Sequence, residues 1–224
     1  MKKNLLILIL FFTFFSCKKD KSVSEPIDLG YGYFPLKTGS WIVYDADSII
    51  YDEFKKSVDT IRFELKELIE SNFTDTAGRP SQRIEIYKRK NNSEKWILTD
   101  VWFATRTATR AEKVEENVRF VKLNFPVKGG KKWNGNAFNN MEDWQYEYTE
   151  IDKSEEINKL NFDSTLTVRQ IDDVNFISQK TYKEKYAKNV GLLYRQAIDV
   201  ALDPAKNRTS GFQYTQKIKE FGKK

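Results

Sequence analysis

The chain has 224 residues, with 38 Lys and Arg against 32 Asp and Glu and a formal net charge of +6. It contains no histidine and only one cysteine, which excludes intrachain disulfides, Cys/His zinc sites and the usual Ser-His-Asp and Cys-His catalytic groups. Basic and acidic residues are interspersed, as on a solvated surface, so no nucleic-acid partner is predicted.

The first element in chain order is a short apolar segment behind a basic head. Lys2 and Lys3 precede residues 5–15, which are apolar except for Thr13. Eleven residues are too few to cross a hydrocarbon core, which needs roughly 20. A basic head, a short apolar run and a small residue at its end are typical of a secretory signal peptide, which we assign to residues 1–16.

The segment Phe14-Phe15-Ser16-Cys17 resembles the lipobox of bacterial lipoproteins. The resemblance implies that Cys17 carries a diacylglyceryl group and a further acyl chain such as palmitate, and so makes the membrane a partner. Two or more chains anchor a protein stably, because each buried methylene contributes ~0.8 kcal/mol. Residues 17–28 are polar and are predicted to be a flexible tether.

Residues 29–224 are predicted to be one β domain, which opens with a turn. Pro35 fixes φ before that turn, and Gly39 permits a positive φ where the chain reverses. A strand follows at 41–51, with a turn or bulge at 45–48. Further strands are expected at 60–70, with a bulge at 68–69, and at 83–90, 96–105, 108–114 and 118–125.

The second half of the domain begins with the longest predicted loop, residues 126–140, which is rich in Gly and Asn. A strand at 144–151 is followed by one helical turn at 153–159, for which Ser154 is a suitable N-cap. Another loop is expected at 201–211. The remaining predicted strands cover 160–171, 176–186, 190–200 and 212–221.

The predicted architecture is all-β, with nine to eleven antiparallel strands joined by hairpin-length connections. A meandering sheet of this size usually curls into a barrel or half-barrel, as in lipocalin-like and LolA-like carriers, and we favour that arrangement. A β-sandwich is the alternative.

The segment Tyr33-Phe34-Pro35-Leu36, with Gly39, Trp41 and Tyr44 after it, resembles the opening of an uncharacterised family of Bacteroidetes lipoproteins. Residues 190–194 and 212–215 are also similar to segments of that family. The resemblance implies an outer-membrane-anchored β domain on the periplasmic or surface face. It supplies no catalytic residues.

Carboxylate pairs give no convincing catalytic or metal site. Asp45 and Asp47 lie in a segment without the glycine and closing glutamate of a calcium loop. Glycoside hydrolysis needs two facing carboxyls ~5–9.5 Å apart, whereas neighbours on a strand point to opposite faces. We therefore predict no catalytic residue, metal or cofactor. The pairs considered are Glu142-Asp143, Glu155-Glu156 and Asp172-Asp173.

Tryptophans are the most suggestive ligand-binding candidates, although core packing is the simpler explanation for them. Trp133 lies between glycine- and asparagine-rich segments, so it is either a loop-borne contact residue or a plug that folds over the core. The candidates are Trp41, Trp102, Trp133 and Trp144.

Three functions remain open. The leading hypothesis is a non-enzymatic lipoprotein that binds an apolar or amphipathic, lipid-like ligand, or an envelope partner, through the curled sheet. The first alternative is a structural or assembly protein of the envelope with a filled core. The second is a carbohydrate-active enzyme that uses Asp and Glu. A cavity of several hundred Å³ would separate the first two.

Overall fold

The computed structural model describes residues 27–203 and 208–224. The predicted signal peptide, Cys17 and most of the predicted tether lie outside these residues. The described part contains one 3-10 turn, Tyr31–Tyr33, and twelve strands. The strands are β1 Ser40–Asp52, β2 Ser57–Thr74, β3 Pro80–Arg89, β4 Ile97–Arg106, β5 Arg110–Glu115, β6 Val118–Asn124, β7 Lys132–Asn134, β8 Gln145–Ile157, β9 Leu160–Val174, β10 Ser178–Ala187, β11 Gly191–Asp203 and β12 Arg208–Lys223.

All twelve strands form a single antiparallel sheet that curls into a nearly closed barrel. The order is β6-β5-β4-β3-β2-β1-β12-β11-β10-β9-β8-β7. The first strand therefore pairs with the last, and the two sheet edges belong to β6 and β7, which are consecutive in the chain. The predicted all-β fold with one meandering, curled sheet is confirmed.

The two edges approach each other along a seam between β6 and β7. The backbone N–H of Val121 donates to the carbonyl oxygen of Gly135 at 2.8 Å, and the indole N–H of Trp133 donates to the carbonyl oxygen of Val121 at 2.8 Å. Lower down, the backbone N–H of Asn124 donates to the hydroxyl of Tyr148 at 2.7 Å. These hydrogen bonds pair backbone N–H and carbonyl groups at the two sheet edges that would otherwise lack a partner.

The barrel interior follows the two-residue alternation of its strands. Leu166 and Val168 on β9 are fully buried, as are Tyr44, Leu193 and Ile218 on strands that neighbour one another. Each such side chain stabilises the fold by roughly 1.5–3 kcal/mol relative to an exposed position. The large share of tyrosine among them brings hydroxyl groups into the interior, where they need partners.

Several predicted irregular segments are instead regular strand. Residues 45–48 lie within the continuous strand β1, and the predicted loop at 201–211 is shorter because β11 and β12 extend into it. Residues 153–159 contain no helical turn: the prediction is wrong, because β8 continues to Ile157 against β9. Register shifts at 151–155 allow this polar, poorly alternating stretch to stay paired.

One end of the barrel is covered by residues 30–36, which we call the plug. Tyr33 is 1% exposed, and its hydroxyl donates to Asp152 Oδ1 at 2.7 Å. Arg106 donates to the carbonyl oxygens of Tyr31 and Phe34, each at 3.2 Å. After the plug, Gly39 has φ 86°, as predicted for the turn into β1. The plug thus fixes the position at which the N-terminal part of the chain joins the sheet.

Candidate functional site

Six charged side chains meet inside the barrel and form what we call the interior ion network. Lys122 on β6 lies 2.7 Å from Glu184 on β10 and 3.5 Å from Glu115 on β5. Arg195 on β11 lies 2.7 Å from Glu115 and 2.9 Å from Glu184. The network thus links strands on opposite walls of the barrel.

The network continues towards the plug through Lys113 and Glu67. Lys113 on β5 lies 2.9 Å from Glu67 on β2 and 3.4 Å from Glu115. Three carboxylates and three cations are therefore joined in one chain of contacts, and their charges sum to zero. Ion pairs that are buried without such matching partners are costly, because both ions lose their hydration.

The network stays ionised at neutral pH. Burial alone would raise the pKa of Glu115, but Arg195 and Lys122 outweigh it and hold that pKa well below its usual range. Glu184 behaves in the same way: burial raises its pKa, and Lys122 and Arg195 lower it further than burial raises it. Tyr186 donates to Glu184 at 2.5 Å, and burial raises the pKa of its phenol.

A pocket lies between the plug and the ion network. Its cavity volume is about 110 Å³. Its polar side is formed by Glu67, Lys113 and Lys122, which belong to the network. Its apolar walls come from the plug and from four strands: Phe34, Leu36, Ile42, Ile69, Ile84 and Leu192. The pocket is therefore amphipathic, with charge at its inner side and hydrocarbon around it.

The mouth of the pocket is bordered by the start of β1 and the end of β12. Trp41 lies there, packed so closely on Gly222 that a β-carbon on that glycine would come within 2.7 Å of the indole. The ammonium of Lys66 is 5.2 Å from the Trp41 ring centroid. Of the four tryptophans proposed from sequence, Trp41 is the one that contributes to this pocket.

The other three tryptophans lie elsewhere in the structure. Trp133 is in β7 and is buried, with its ring 4.5 Å from that of Tyr148. Trp144 stacks edge-on against Tyr182 at 4.9 Å. Trp102 is partly buried, and Lys113 of the network lies 4.8 Å from its ring. The structure does not bring the four together, and their role in ligand binding stays a prediction.

The acidic residues proposed from sequence are dispersed. Asp47 pairs with Arg62 at 3.2 Å and Asp45 with Lys219 at 3.4 Å, so both are engaged in ion pairs near the surface. Within residues 27–203 and 208–224, no group of three or more acidic side chains is arranged to hold a metal ion.

Sequence reasoning missed the ion network, although the sequence contains a signal for it. Glu67 alternates with the apolar residues Leu65 and Ile69, so it falls on the apolar face of its strand. Arg195 is placed in the same way between Leu193 and Ala197. A charged side chain on the apolar face of a strand is expected to point into the interior and to need a buried partner of opposite charge. The pairing itself joins residues up to 80 positions apart, which no local pattern reveals.

The fold defines the class of the protein as all-β, with one curled sheet, a plugged end and an internal pocket. No family model matches the chain, and no curated protein matches it. Among solved structures, it is similar to one from Bacteroides fragilis described as an exported protein with a YmcC-like fold, at 8% identity and a TM-score of 0.47, covering 85% of this chain and 99% of that one. It is also similar to a structure from Parabacteroides distasonis described as a lipoprotein, at 12% identity and a TM-score of 0.43. That match covers 85% of this chain and 98% of the other. In the part of the chain that the structure describes, no helix is long and apolar enough to cross a bilayer.

Proposed function

We propose that this protein is a non-enzymatic, lipid-anchored envelope protein that binds a small amphipathic ligand in the pocket beneath the plug. The observation that carries the proposal is the pocket itself, which combines apolar walls with a charged inner side. Its cavity volume of about 110 Å³ is smaller than the roughly 300–1,000 Å³ usual for drug-sized ligands, so it suits a slender chain or a small head group, with the rest of the ligand extending to the mouth.

The walls suit a hydrocarbon chain. Phe34 and Leu36 come from the plug, whereas Ile42, Ile69 and Leu192 come from three strands, so apolar surface surrounds the pocket on several sides. Each methylene moved from water into such surroundings contributes ~0.8 kcal/mol. A chain of about six carbons would contribute about 5 kcal/mol by this measure, which is less than micromolar binding requires once the cost of association is included, so the polar head group must supply the rest.

The proposed anchor would keep this pocket close to a membrane. The predicted tether, residues 17–28, has 12 residues and can span at most about 40 Å when fully extended. It joins the fold directly before the plug, and the plug borders the pocket. Ligands that partition into or out of the bilayer would thus reach the mouth of the pocket over a short distance.

Native mass spectrometry tests the proposal on the chain from Lys18 to Lys224, which contains all twelve strands and the whole described core. The protein is purified from its own host without detergent. We expect reproducible added mass that extracts into organic solvent. The variant Leu36→Trp, which fills the pocket from the plug, should lose that mass, whereas Val58→Trp, at an exposed position on β2, should keep it.

A structural role in the envelope is the second candidate, and the ion network favours it. The network fills the middle of the barrel with matched charges and joins β5, β6, β10 and β11. If neither the parent protein nor the Val58→Trp variant showed added mass in native mass spectrometry, this structural role would be supported instead. Cross-linking in intact cells would then identify the partner.

A further inference from the structure

We infer that the pocket selects amphiphiles whose head group is uncharged and carries both hydrogen-bond donors and acceptors, such as a glyceryl or primary amide group, over fatty acids of the same chain length. This inference rests on the proposed function and names the ligand class for the same pocket. It is carried by the charge balance of the residues at the inner side of the pocket.

The first step concerns net charge. Lys113 and Lys122 border the pocket, but neither is a spare cation, because Lys113 holds Glu67 and Glu115 while Lys122 holds Glu115 and Glu184. With Arg195 included, three cations already match three carboxylates. A buried ligand carboxylate would therefore add a negative charge without a counter-ion, which is strongly unfavourable away from water.

The second step concerns hydrogen-bonding capacity. An ammonium group has three N–H donors, and two carboxylate contacts leave each of the two lysines one donor. Glu67 Oε2 accepts from Lys113 at 2.9 Å, whereas Oε1 takes part in no ion pair or hydrogen bond with residues 27–203 or 208–224. The pocket thus offers a neutral head group donors from the two ammonium groups and an acceptor on Glu67.

The third step concerns geometry. The apolar walls lie around and outside these groups, between the network and the mouth at Trp41. A ligand with its chain along the walls places its head at the network. A hydroxyl or amide head can then give a proton to Glu67 and accept one from Lys113 without altering the charge sum.

The experiment compares three probes with the same twelve-carbon chain: monolauroylglycerol, laurate and dodecyltrimethylammonium. Binding to the chain from Lys18 to Lys224 is measured by calorimetry below each probe's micellar concentration at pH 7.5. We expect monolauroylglycerol to bind at least tenfold more tightly than laurate. Dodecyltrimethylammonium, which has a charge and no donor, should bind at least as weakly as laurate.

Equal or tighter binding of laurate would overturn the inference and leave the proposed ligand-binding function standing. If none of the three probes bound while the protein was shown to be folded, the proposed function would fail together with the inference. The two failures are therefore distinguishable within one set of titrations.

A substitution tests the charge balance directly. Glu67→Gln removes one carboxylate charge and leaves the network with a net charge of +1, so we expect laurate affinity to rise at least fivefold relative to monolauroylglycerol affinity. Glu70→Gln is the matched control, because Glu70 lies on the same strand but pairs at the surface with Arg83 at 3.0 Å. An unchanged ratio in Glu67→Gln, with the variant folded by circular dichroism, would contradict the charge argument.

Discussion

The ammonium of Lys122 lies 2.7 Å from the carboxylate of Glu184, and this ion pair spans the barrel from β6, at one edge of the sheet, to β10 on the opposite wall. Both side chains are almost fully buried. Since β6 is an edge strand, the pair does more than bridge neighbouring strands: it ties one side of the seam to the far wall. Closure of the barrel and the polar side of the pocket therefore depend on the same residues.

Replacing Lys122 by Met should destabilise the fold strongly. The change leaves the three network carboxylates with only two cations, Arg195 and Lys113, because Lys113 also pairs with Glu67. Breaking a buried pair from one side costs about 3–5 kcal/mol. We expect that loss in the free energy of unfolding measured with urea at pH 7.

The double variant Lys122→Met with Glu184→Gln should recover part of this loss, because the uncompensated charge is then removed. The surface pair Arg62–Asp47, whose side chains are 82% and 51% exposed, supplies the comparison. Arg62→Met should change the free energy of unfolding by no more than about 0.5 kcal/mol. A similar small effect at Lys122 would show that the network contributes little to stability.

Acid should destabilise the protein through Glu115 and Glu184, the two most buried glutamates of the interior ion network. Their pKa values in the folded state lie below the ordinary value of 4.5, so their contribution is present above that value and is lost as the pH falls through the folded pKa. We expect the urea-derived free energy of unfolding to fall steeply below pH 4.5. In Glu184→Gln the slope should be shallower by up to about 1.4 kcal/mol per pH unit.

The control for the acid experiment is Glu156→Gln, because the side chain of Glu156 is exposed on β8. This variant should follow the parent profile. If Glu184→Gln also followed it, the network carboxylates would not be responsible for the acid sensitivity.

The sheet was predictable from sequence to a greater extent than the site. Alternation at Ile61, Phe63 and Leu65 identifies a strand, because a half-buried strand places apolar groups at every second position. The structure buries Leu65 but leaves Ile61 exposed. The helical turn predicted at 153–159 is wrong, because its polar residues lack that signal and the pairing with β9 overrides local preference. The pocket forms where the plug and the interior ion network come together. They do so only when the sheet closes through contacts between residues far apart in the sequence, which no local pattern reveals.

High pH should unfold the protein through tyrosines that are buried or half-buried. Burial raises the pKa of Tyr182 and Tyr214 to about 12, from an ordinary value of 10.0. A raised folded pKa means that the contribution to stability is complete below pH 10 and is lost as the pH rises towards 12. We expect tyrosinate absorbance near 295 nm to develop in two stages, exposed tyrosines first and the buried ones together with unfolding. Smooth titration of all eleven tyrosines near pH 10, with native circular dichroism, would contradict this assignment.

Two tryptophans should separate stability from ligand binding. Trp133→Ala removes a buried ring and its hydrogen bond to Val121 across the seam, so it should cost about 3–5 kcal/mol in unfolding free energy. Trp41→Ala, at the mouth of the pocket, should cost less in stability but should weaken monolauroylglycerol binding several-fold. Urea unfolding measures the stability of both variants, and calorimetry measures their binding of monolauroylglycerol. Unchanged binding in Trp41→Ala would contradict the assignment of Trp41 to the ligand site.

Closure of the seam also leaves no room beside Gly135. A β-carbon at this position would come within 2.2–2.5 Å of the ring of Tyr146, a side chain that is itself 2% exposed and held in the core. Gly135→Ala should therefore destabilise the protein by about 1–3 kcal/mol, the usual cost of overpacking. Gly129→Ala is the matched control in the preceding connection, between β6 and β7, because its nearest neighbour, Ile151 Cδ1, is 4.0 Å away. That change should be neutral or slightly stabilising, since alanine restricts the unfolded chain. Thermal unfolding followed by circular dichroism measures both, and equal melting temperatures for the two variants would mean that Tyr146 can move aside and that the seam is less tightly packed than the structure indicates.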